Sequence, residues 1–315
     1  MDFFIDRLIK QIYIKRSHIV VGLDPNIEYF PRHLKLKLKD DLYNCGKIIT
    51  YFNKKIIDSI YDLVPIIKPQ LAYYEKYGIE GLKAFDQTVR YAKNKGLIVI
   101  ADAKRNDIGS TAQSYSIGFL GKVKLNKKPI SVFDVDAVTV NPFLGSDGIL
   151  PFIDDVNDYG KGIFILVKTS NPSSGEIQDL VIIKANKRLK LYEVVANLAK
   201  KWASLSIGKS GYSSVGAVVG ATYPKEAKIL RKKMSKMFFL VPGYGAQGGK
   251  AVDMVNFFNN DGLGAIIASS RKINYAFRYD KRFNENEFDV AARKAVLDMN
   301  KEINTALYKA KLLNW

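Results

Sequence analysis

Asp102, Lys104 and Asp107 form an Asp-x-Lys-x-x-Asp motif at the end of the apolar run Leu97-Ile98-Val99-Ile100-Ala101. Residues two apart on an extended chain point the same way, so Asp102 and Lys104 share a face if the strand continues that far. Together they place a fixed negative charge and a proton donor at one point, which is equipment for general-acid chemistry. A surface ion pair at a strand end is the plain alternative for these residues alone. Other polar groups close apolar runs in the same way. Asp24 follows Ile19-Val20-Val21-Gly22-Leu23, Lys68 follows Val64-Pro65-Ile66-Ile67, and Asn141 follows Ala137-Val138-Thr139-Val140. Lys168-Thr169-Ser170-Asn171-Pro172 follows Ile163-Phe164-Ile165-Leu166-Val167. Charges that converge must pair if they are buried. An alternating cluster of lysines and aspartates would compensate itself.

A second set of residues suits an anion. Pro242-Gly243-Tyr244-Gly245-Ala246-Gln247-Gly248-Gly249 follows the run Met237–Val241, and Ser269-Ser270-Arg271 follows Gly264–Ala268. Glycines allow close backbone approach, free N–H groups bind oxygens, and a helix expected to begin near Lys250 would add its positive end. An arginine can hold a phosphate through two parallel hydrogen bonds. A glycine-rich loop alone is more often just a turn; the arginine one strand later points to phosphate.

The elements that must position these groups follow from the pattern. Eight apolar, β-branched runs read as strands: 18–24, 64–68, 97–102, 137–141, 163–168, 215–220, 237–242 and 264–269. Helix-period stripes lie between them: Leu42, Cys45, Ile49, Phe52 and Ile56; Leu82, Phe85, Val89 and Ala92; Leu191, Val194, Val195, Leu198 and Trp202; and Val252, Val255 and Phe258. All are expected in the core. A long closing helix is expected over about 285–311, with Phe288, Ala292, Ala295, Met299, Ile303 and Ala306 inward, and an N-terminal helix over about 1–16. Eight strands alternating with helices predict an α/β fold, a (β/α)8 TIM barrel forming one domain over 1–315. A doubly wound sheet more often has five or six strands and an early Gly-x-Gly-x-x-Gly, whereas the first strand here runs into Gly22-Leu23-Asp24-Pro25. In a barrel, the C-terminal strand ends carry the active site, and loops seven and eight commonly hold phosphate. The segments 118–136 and 170–190 are longer than barrel loops need, and the second could cover the site.

Composition narrows the class. Lys and Arg number 49 against 31 Asp and Glu, a net charge of +18. The basic residues are scattered without an RNA-binding or zinc-finger signature, so an anionic small molecule is favoured over nucleic acid. Cys45 is the only cysteine, and His18 and His33 are the only histidines. An intrachain disulfide and cysteine-based zinc clusters are therefore ruled out, and a histidine-rich metal site is not expected. No apolar stretch approaches the ~20 residues of a membrane span. Charges at Asp2, Asp6 and Arg7 break the N-terminus too early for a secretory signal. A cytoplasmic protein with no membrane partner is expected.

The run Asp102-Ala103-Lys104-Arg105-Asn106-Asp107-Ile108-Gly109 resembles the signature of the orotidine 5′-phosphate decarboxylase family. Gly22-Leu23-Asp24-Pro25, Lys68, Ser170-Asn171-Pro172, the 242–249 loop and Ser270-Arg271 match in order, over roughly residues 18–275. The likeness is greatest to the longer-loop branch. It implies conversion of orotidine 5′-phosphate (OMP) to UMP and carbon dioxide in pyrimidine biosynthesis, without metal or cofactor. It also implies roles. Lys104 would protonate C6 of the pyrimidine, Asp102 would sit beside the substrate carboxylate, and Lys68 would be the first lysine of the array. Asp24 would bind a ribose hydroxyl and Ser170 the pyrimidine amide edge. Gln247 and Arg271 would grip the phosphate, with Pro242, Gly248, Gly249 and Ser270 lining its site. Asp107, Ile108 and Thr111 would complete the neighbouring subunit's site in a homodimer. Ser270 stands where many members have glycine. A magnesium-dependent sugar-phosphate lyase of the same suprafamily would need a glutamate at the end of strand two, where Lys68 stands. A barrel that binds phosphate or nucleic acid without catalysis would not need the full set of Asp24, Lys68, Asp102, Lys104 and Asp107.

Overall fold

The structure is a computed structural model that describes residues 2–39, 41–126, 128–184, 186–245 and 248–315. Eight parallel strands close into a barrel: β1 (Ile19–Leu23), β2 (Ile66–Pro69), β3 (Ile98–Arg105), β4 (Ala137–Val140), β5 (Gly162–Lys168), β6 (Ser213–Val219), β7 (Met237–Val241) and β8 (Ala265–Ser269). Each pairs with its sequence neighbours, and β8 closes on β1 with Ile19 opposite Ile267 and Val21 opposite Ser269. This is the TIM barrel expected from the alternating pattern.

Alternation along the strands sorts the residues into two faces. Val20, Ile66, Ile98, Ile100, Ala137, Phe164, Phe238, Leu240 and Ile266 fill the interior. Ile19, Val21, Leu23, Ile67, Val99 and Val138 face outward against the helices. The helix Phe4–Lys15 buries Phe4, Ile5, Leu8, Ile9 and Ile12 into the interior cluster and plugs the bottom of the barrel. The inward register then changes from apolar to polar at the top. After Val20 come Gly22 and Asp24; after Ile66 come Lys68 and Gln70; after Ile100 comes Asp102; after Ala137 comes Thr139. Burial of the lower layers thus fixes where the upper layer points.

Helices Leu42–Ile60, Gly78–Asn94, Ser146–Tyr159, Leu191–Ala203 and Phe288–Lys309 pack around the barrel. Asp41 starts the first by accepting from Asn44 N (2.7 Å), and Gly160 ends the third in the left-handed region at φ 62°. Three residues expected in the core lie outside it: Leu42 is 55% exposed, Leu198 38% and Val252 66%. On the helix 191–203 the buried face is instead Tyr192, Ala196, Ala199, Trp202 and Ala203. Small residues there let the helix approach the sheet, a preference that a count of large apolar side chains overlooks. The two long segments are not bare loops. Each carries an antiparallel hairpin, Val123–Leu125 with Lys128–Ile130, and Val181–Lys184 with Lys187–Lys190. No helix is long and apolar enough to cross a membrane among the described residues.

Candidate active site

At the mouth of the barrel Lys68, Asp102 and Lys104 meet. Lys68 Nζ donates to Asp102 Oδ2 at 2.7 Å, and Lys104 Nζ donates to Asp102 Oδ1 at 2.6 Å. The hydroxyl of Thr139 donates to Asp102 Oδ1 (3.0 Å) and accepts from the backbone N–H of Lys104 (3.0 Å). With its amide nitrogen toward Asp102, Gln70 donates to Oδ2 at 2.9 Å and offers its oxygen to Lys104 Nζ at 3.3 Å. Burial alone would raise the Asp102 carboxyl, but the Lys68 and Lys104 ammonium groups hold it well below the usual carboxylate range. For Lys68, burial would lower the ammonium, and the charges of Asp102 and Asp24 raise it above its ordinary value. One carboxylate thus stands between two lysines, one on each of its oxygens.

Lys104 reaches Asp102 by a route the alternation does not describe. Between Ala101 and Arg105 the pairing of β3 with β4 shifts: Ala101 faces Val138, and Arg105 faces Val140. The extra residues form a bulge, and within it Lys104 adopts φ +48°. A left-handed backbone costs a residue with a Cβ about 1–2 kcal/mol. Bulges beside active sites re-aim side chains in this way. The bond from Thr139 to the Lys104 N–H secures the distorted turn.

Asp24 stands beside this cluster. Its Oδ1 is shielded from solvent and has no hydrogen bond among the described residues. Burial raises its carboxyl above the ordinary value, against the pull of the Lys68 charge and the Ser270 hydroxyl. The backbone that carries it is clamped. Asn274 Nδ2 donates to the Gly22 carbonyl (2.9 Å), and the Tyr275 hydroxyl donates to the Asp24 carbonyl (2.9 Å) while accepting from Asn26 N–H (2.8 Å). Asn274 closes the short helix Arg271–Asn274 and Tyr275 follows it, so the turn after β8 is tied to the end of β1. Two glycines make room for site residues. A Cβ on Gly22 would fall 1.9 Å from Ser270 Oγ, and one on Gly220 would fall 2.7 Å from Ser170 Cβ.

Other expected site residues lie apart from the lysine–aspartate cluster. Asp107 Oδ1 accepts from Ile108 N–H (2.8 Å), and Ile108 and Thr111 are exposed at the start of the helix Gly109–Phe119. Ser170 lies on the segment after β5, half-buried against Gly220. The Pro242 carbonyl accepts from Ala221 N–H (2.9 Å), and Gly249 packs beneath the loop with its carbonyl accepting from Gly245 N–H (3.0 Å). Gly248 is exposed at φ +94°. Gln247 lies outside the described residues. Arg271 is exposed and borders a cavity of about 660 Å³ shared with Gly245, Lys272, Asp280 and Asp298. The helix expected near Lys250 spans only Ala251–Met254. One turn sums too few peptide dipoles to present a strong positive end, so anion binding there rests on loop N–H groups and side chains.

Sequence reasoning missed Thr139, Gln70, Asn274, Tyr275 and Lys272. Thr139 and Gln70 could have been found by extending the inward register of Ala137 and Lys68 by one step. Lys272 packs over the glycine-rich loop, its Nζ 3.1 Å from where a Gly245 Cβ would stand. Nothing in the local pattern marks Asn274 and Tyr275, whose partners are about 250 residues away in the chain.

The profile of the orotidine 5′-phosphate decarboxylase / HUMPS family matches residues 17–276. The chain is 42% identical over 308 residues to an orotidine 5′-phosphate decarboxylase of Caldicellulosiruptor bescii, covering 96% of this chain and 99% of that one. It is 42% identical over 302 residues to the enzyme of that name from Petrotoga mobilis, covering 96% and 98%. Among solved structures it is similar to the Leishmania donovani OMP decarboxylase, with 28% identity, a TM-score of 0.72, and coverage of 98% of this chain and 100% of that one. A closed eight-stranded barrel, a lysine–aspartate–lysine array at its mouth and these full-length likenesses agree: the chain belongs to the orotidine 5′-phosphate decarboxylase / HUMPS family.

Proposed function

We propose that this protein decarboxylates orotidine 5′-phosphate to UMP and carbon dioxide as a step of pyrimidine biosynthesis. The observation that carries the reading is the array Lys68–Asp102–Lys104, joined by ion pairs of 2.7 and 2.6 Å at the barrel mouth. In the reaction the bond between C6 and the carboxylate breaks, carbon dioxide leaves, and the electron pair stays on C6. Lys104 Nζ stands as the cation facing that developing charge and then transfers its proton to C6, to be reprotonated from solvent. Because the cation is preorganised, little reorganisation is needed when the charge appears. Asp102 holds both ammonium groups and lies beside the substrate carboxylate. Lys68, nearly buried, supplies the second cation and faces the ribose. Asp24, with an unpartnered oxygen, accepts from a ribose hydroxyl. Ser170 reads the pyrimidine amide edge. Arg271, Gln247 and the N–H groups of the 242–249 loop bind the phosphate, with Lys272 adding charge. The phosphate is remote from the breaking bond, so its binding energy serves to order the site.

The protein acts in this reading as a cytoplasmic homodimer with shared sites, built on one barrel domain and requiring neither metal nor cofactor. Ile108 is 52% exposed and Phe143 82%, on the neighbouring loops after β3 and β4. Apolar side chains so exposed at the rim of a site are suited to burial by a second copy. Asp107, Ile108 and Thr111 would then reach the partner's substrate. The test is to follow the absorbance of orotidine 5′-phosphate after adding purified protein in chelator. Conversion to the UMP spectrum with release of carbon dioxide is expected. No conversion by folded protein overturns the reading, and activity that appears only with magnesium favours a sugar-phosphate type of site.

A further inference from the structure

Lys168 is a buried cation to which the proposed reaction gives no task. Lys168 ends β5 with 0% exposure. Its Nζ donates to Asp179 Oδ2 at 2.9 Å and lies 4.5 Å above the ring of Tyr223. A buried ammonium must be paired, so the position of Asp179 is strongly constrained. Asp179 also accepts from Lys190 Nζ (3.3 Å), which ties the far strand of the 181–190 hairpin to the same carboxylate. The chain between Lys168 and Asp179 closes on itself. Thr169 N–H donates to Gln178 Oε1 (3.0 Å), Gln178 Nε2 donates to Thr169 Oγ1 (2.7 Å), and Thr169 Oγ1 donates to Asn171 Oδ1 (2.7 Å). A further contact joins Ser174 Oγ to the Tyr223 hydroxyl at 3.0 Å. Ser170 sits inside this ring, pressed against Gly220.

We infer that Asp179 is a positioning residue for the pyrimidine end of the site: its bond to buried Lys168 fixes the closed segment 169–179 and so sets where Ser170 stands. The inference rests on the reading of Ser170 as the pyrimidine contact. Neither Lys168 nor Asp179 bonds to Lys68, Asp102, Lys104 or Asp24, so the inferred route to the substrate runs through the segment that carries Ser170. Loss of the anchor therefore weakens recognition of the base and spares recognition of the phosphate.

The experiment uses the full chain and two inhibitors, UMP and ribose 5-phosphate, which differ by the base. Asp179→Asn, Ser170→Ala and the double variant are measured with each. Asp179→Asn is expected to weaken UMP about tenfold, equivalent to about 1.4 kcal/mol, and to change ribose 5-phosphate less than twofold, about 0.4 kcal/mol. The double variant is expected to lose no more UMP affinity than Ser170→Ala alone, since residues acting in series are not additive. A role in bulk stability alone predicts equal shifts for both ligands, or additive losses, and either result overturns the inference. If Ser170→Ala weakens UMP selectively and Asp179→Asn does not, the anchor is refuted while the reading of Ser170 stands. If Ser170→Ala leaves UMP unchanged, the reading of Ser170 fails and the inference with it. Should Asp179→Asn not fold, Gln178→Ala, at the half-buried clasp of the same ring, is judged by the same ratio of the two ligands.

Discussion

Lys104 Nζ lies 2.6 Å from Asp102 Oδ1 although the Lys104 backbone sits in the left-handed region at φ +48°. The side chain is delivered by a distortion rather than by the regular pleat. Two replacements separate the side chain from the backbone that carries it. Lys104→Ala and Lys104→Gly should both be nearly inactive, since neither provides the ammonium. Glycine accepts a positive φ freely, so Lys104→Gly should be the more stable of the two by about 1 kcal/mol. Urea denaturation of both variants checks this. A folded Lys104→Ala that keeps more than about a tenth of the rate, a loss below ~1.4 kcal/mol of barrier, would remove Lys104 from the chemistry.

The proposed sharing of sites between subunits can be tested by complementation. Homodimers of Asp107→Ala and of Lys104→Ala should each be close to dead. After subunit exchange, activity should return, because each heterodimer holds one site with both residues intact. Exchange demonstrated by tagged subunits, without recovery of activity, would assign Asp107 to its own subunit's site.

Replacing Arg271, the proposed phosphate contact, is expected to separate gripping from chemistry. Arg271→Ala should weaken kcat/KM for orotidine 5′-phosphate by about 2 kcal/mol or more, in line with a lost charge-assisted hydrogen bond. The slow reaction of the phosphate-free nucleoside should hardly change, and added guanidinium should restore part of the loss. Similar losses on both substrates, together with a lower Tm, would make Arg271 a brace for the turn after β8.

His18 predicts an acid-sensitive fold. It is buried at the foot of the barrel, with its ring 4.8 Å from that of Phe258 and 5.1 Å from that of Trp315. Burial pushes its imidazole down from 6.5 to about 3. The unfolded chain therefore binds a proton that the folded protein refuses between those values. Stability contributed by neutral His18 is present above pH 6.5 and is lost as the pH falls toward 3. From pH 6.5 to 5 the loss is about 2 kcal/mol. His18→Phe should flatten this part of the profile relative to the parent protein, read from urea midpoints at several pH values. Parallel profiles would place the sensitivity elsewhere.

The barrel was readable because its strands are buried on both faces and leave uninterrupted β-branched runs such as Ile98–Ile100. Asp24, Lys68 and Asp102 were readable because charges at the ends of such runs are conspicuous. Thr139 and Gln70 were less so, since a hydroxyl or amide at a strand end is common and only the inward register marks them. The bulge at Lys104 left no trace, because an αL lysine is imposed by neighbours rather than by its own preference. The hairpin at 181–190 was hidden for a different reason: its apolar residues Val181 and Ile183 are exposed and belong to no core pattern.

The contact between Gly22 and Ser270 constrains the order in which this site can change over generations. With serine at 270, a methyl group at position 22 has nowhere to go, for it would overlap Ser270 Oγ and press on its Cβ at 2.9 Å. Removing the Ser270 side chain vacates that space. Alanine at 22 is thus closed to this chain as a first step; after Ser270→Gly its remaining tight neighbour is Asp24 Oδ1 at 3.3 Å, which has to give by a few tenths of an ångström. The two positions form an epistatic pair with a permitted sequence of mutation, and a lineage that begins from serine must pass through the doubly glycine state.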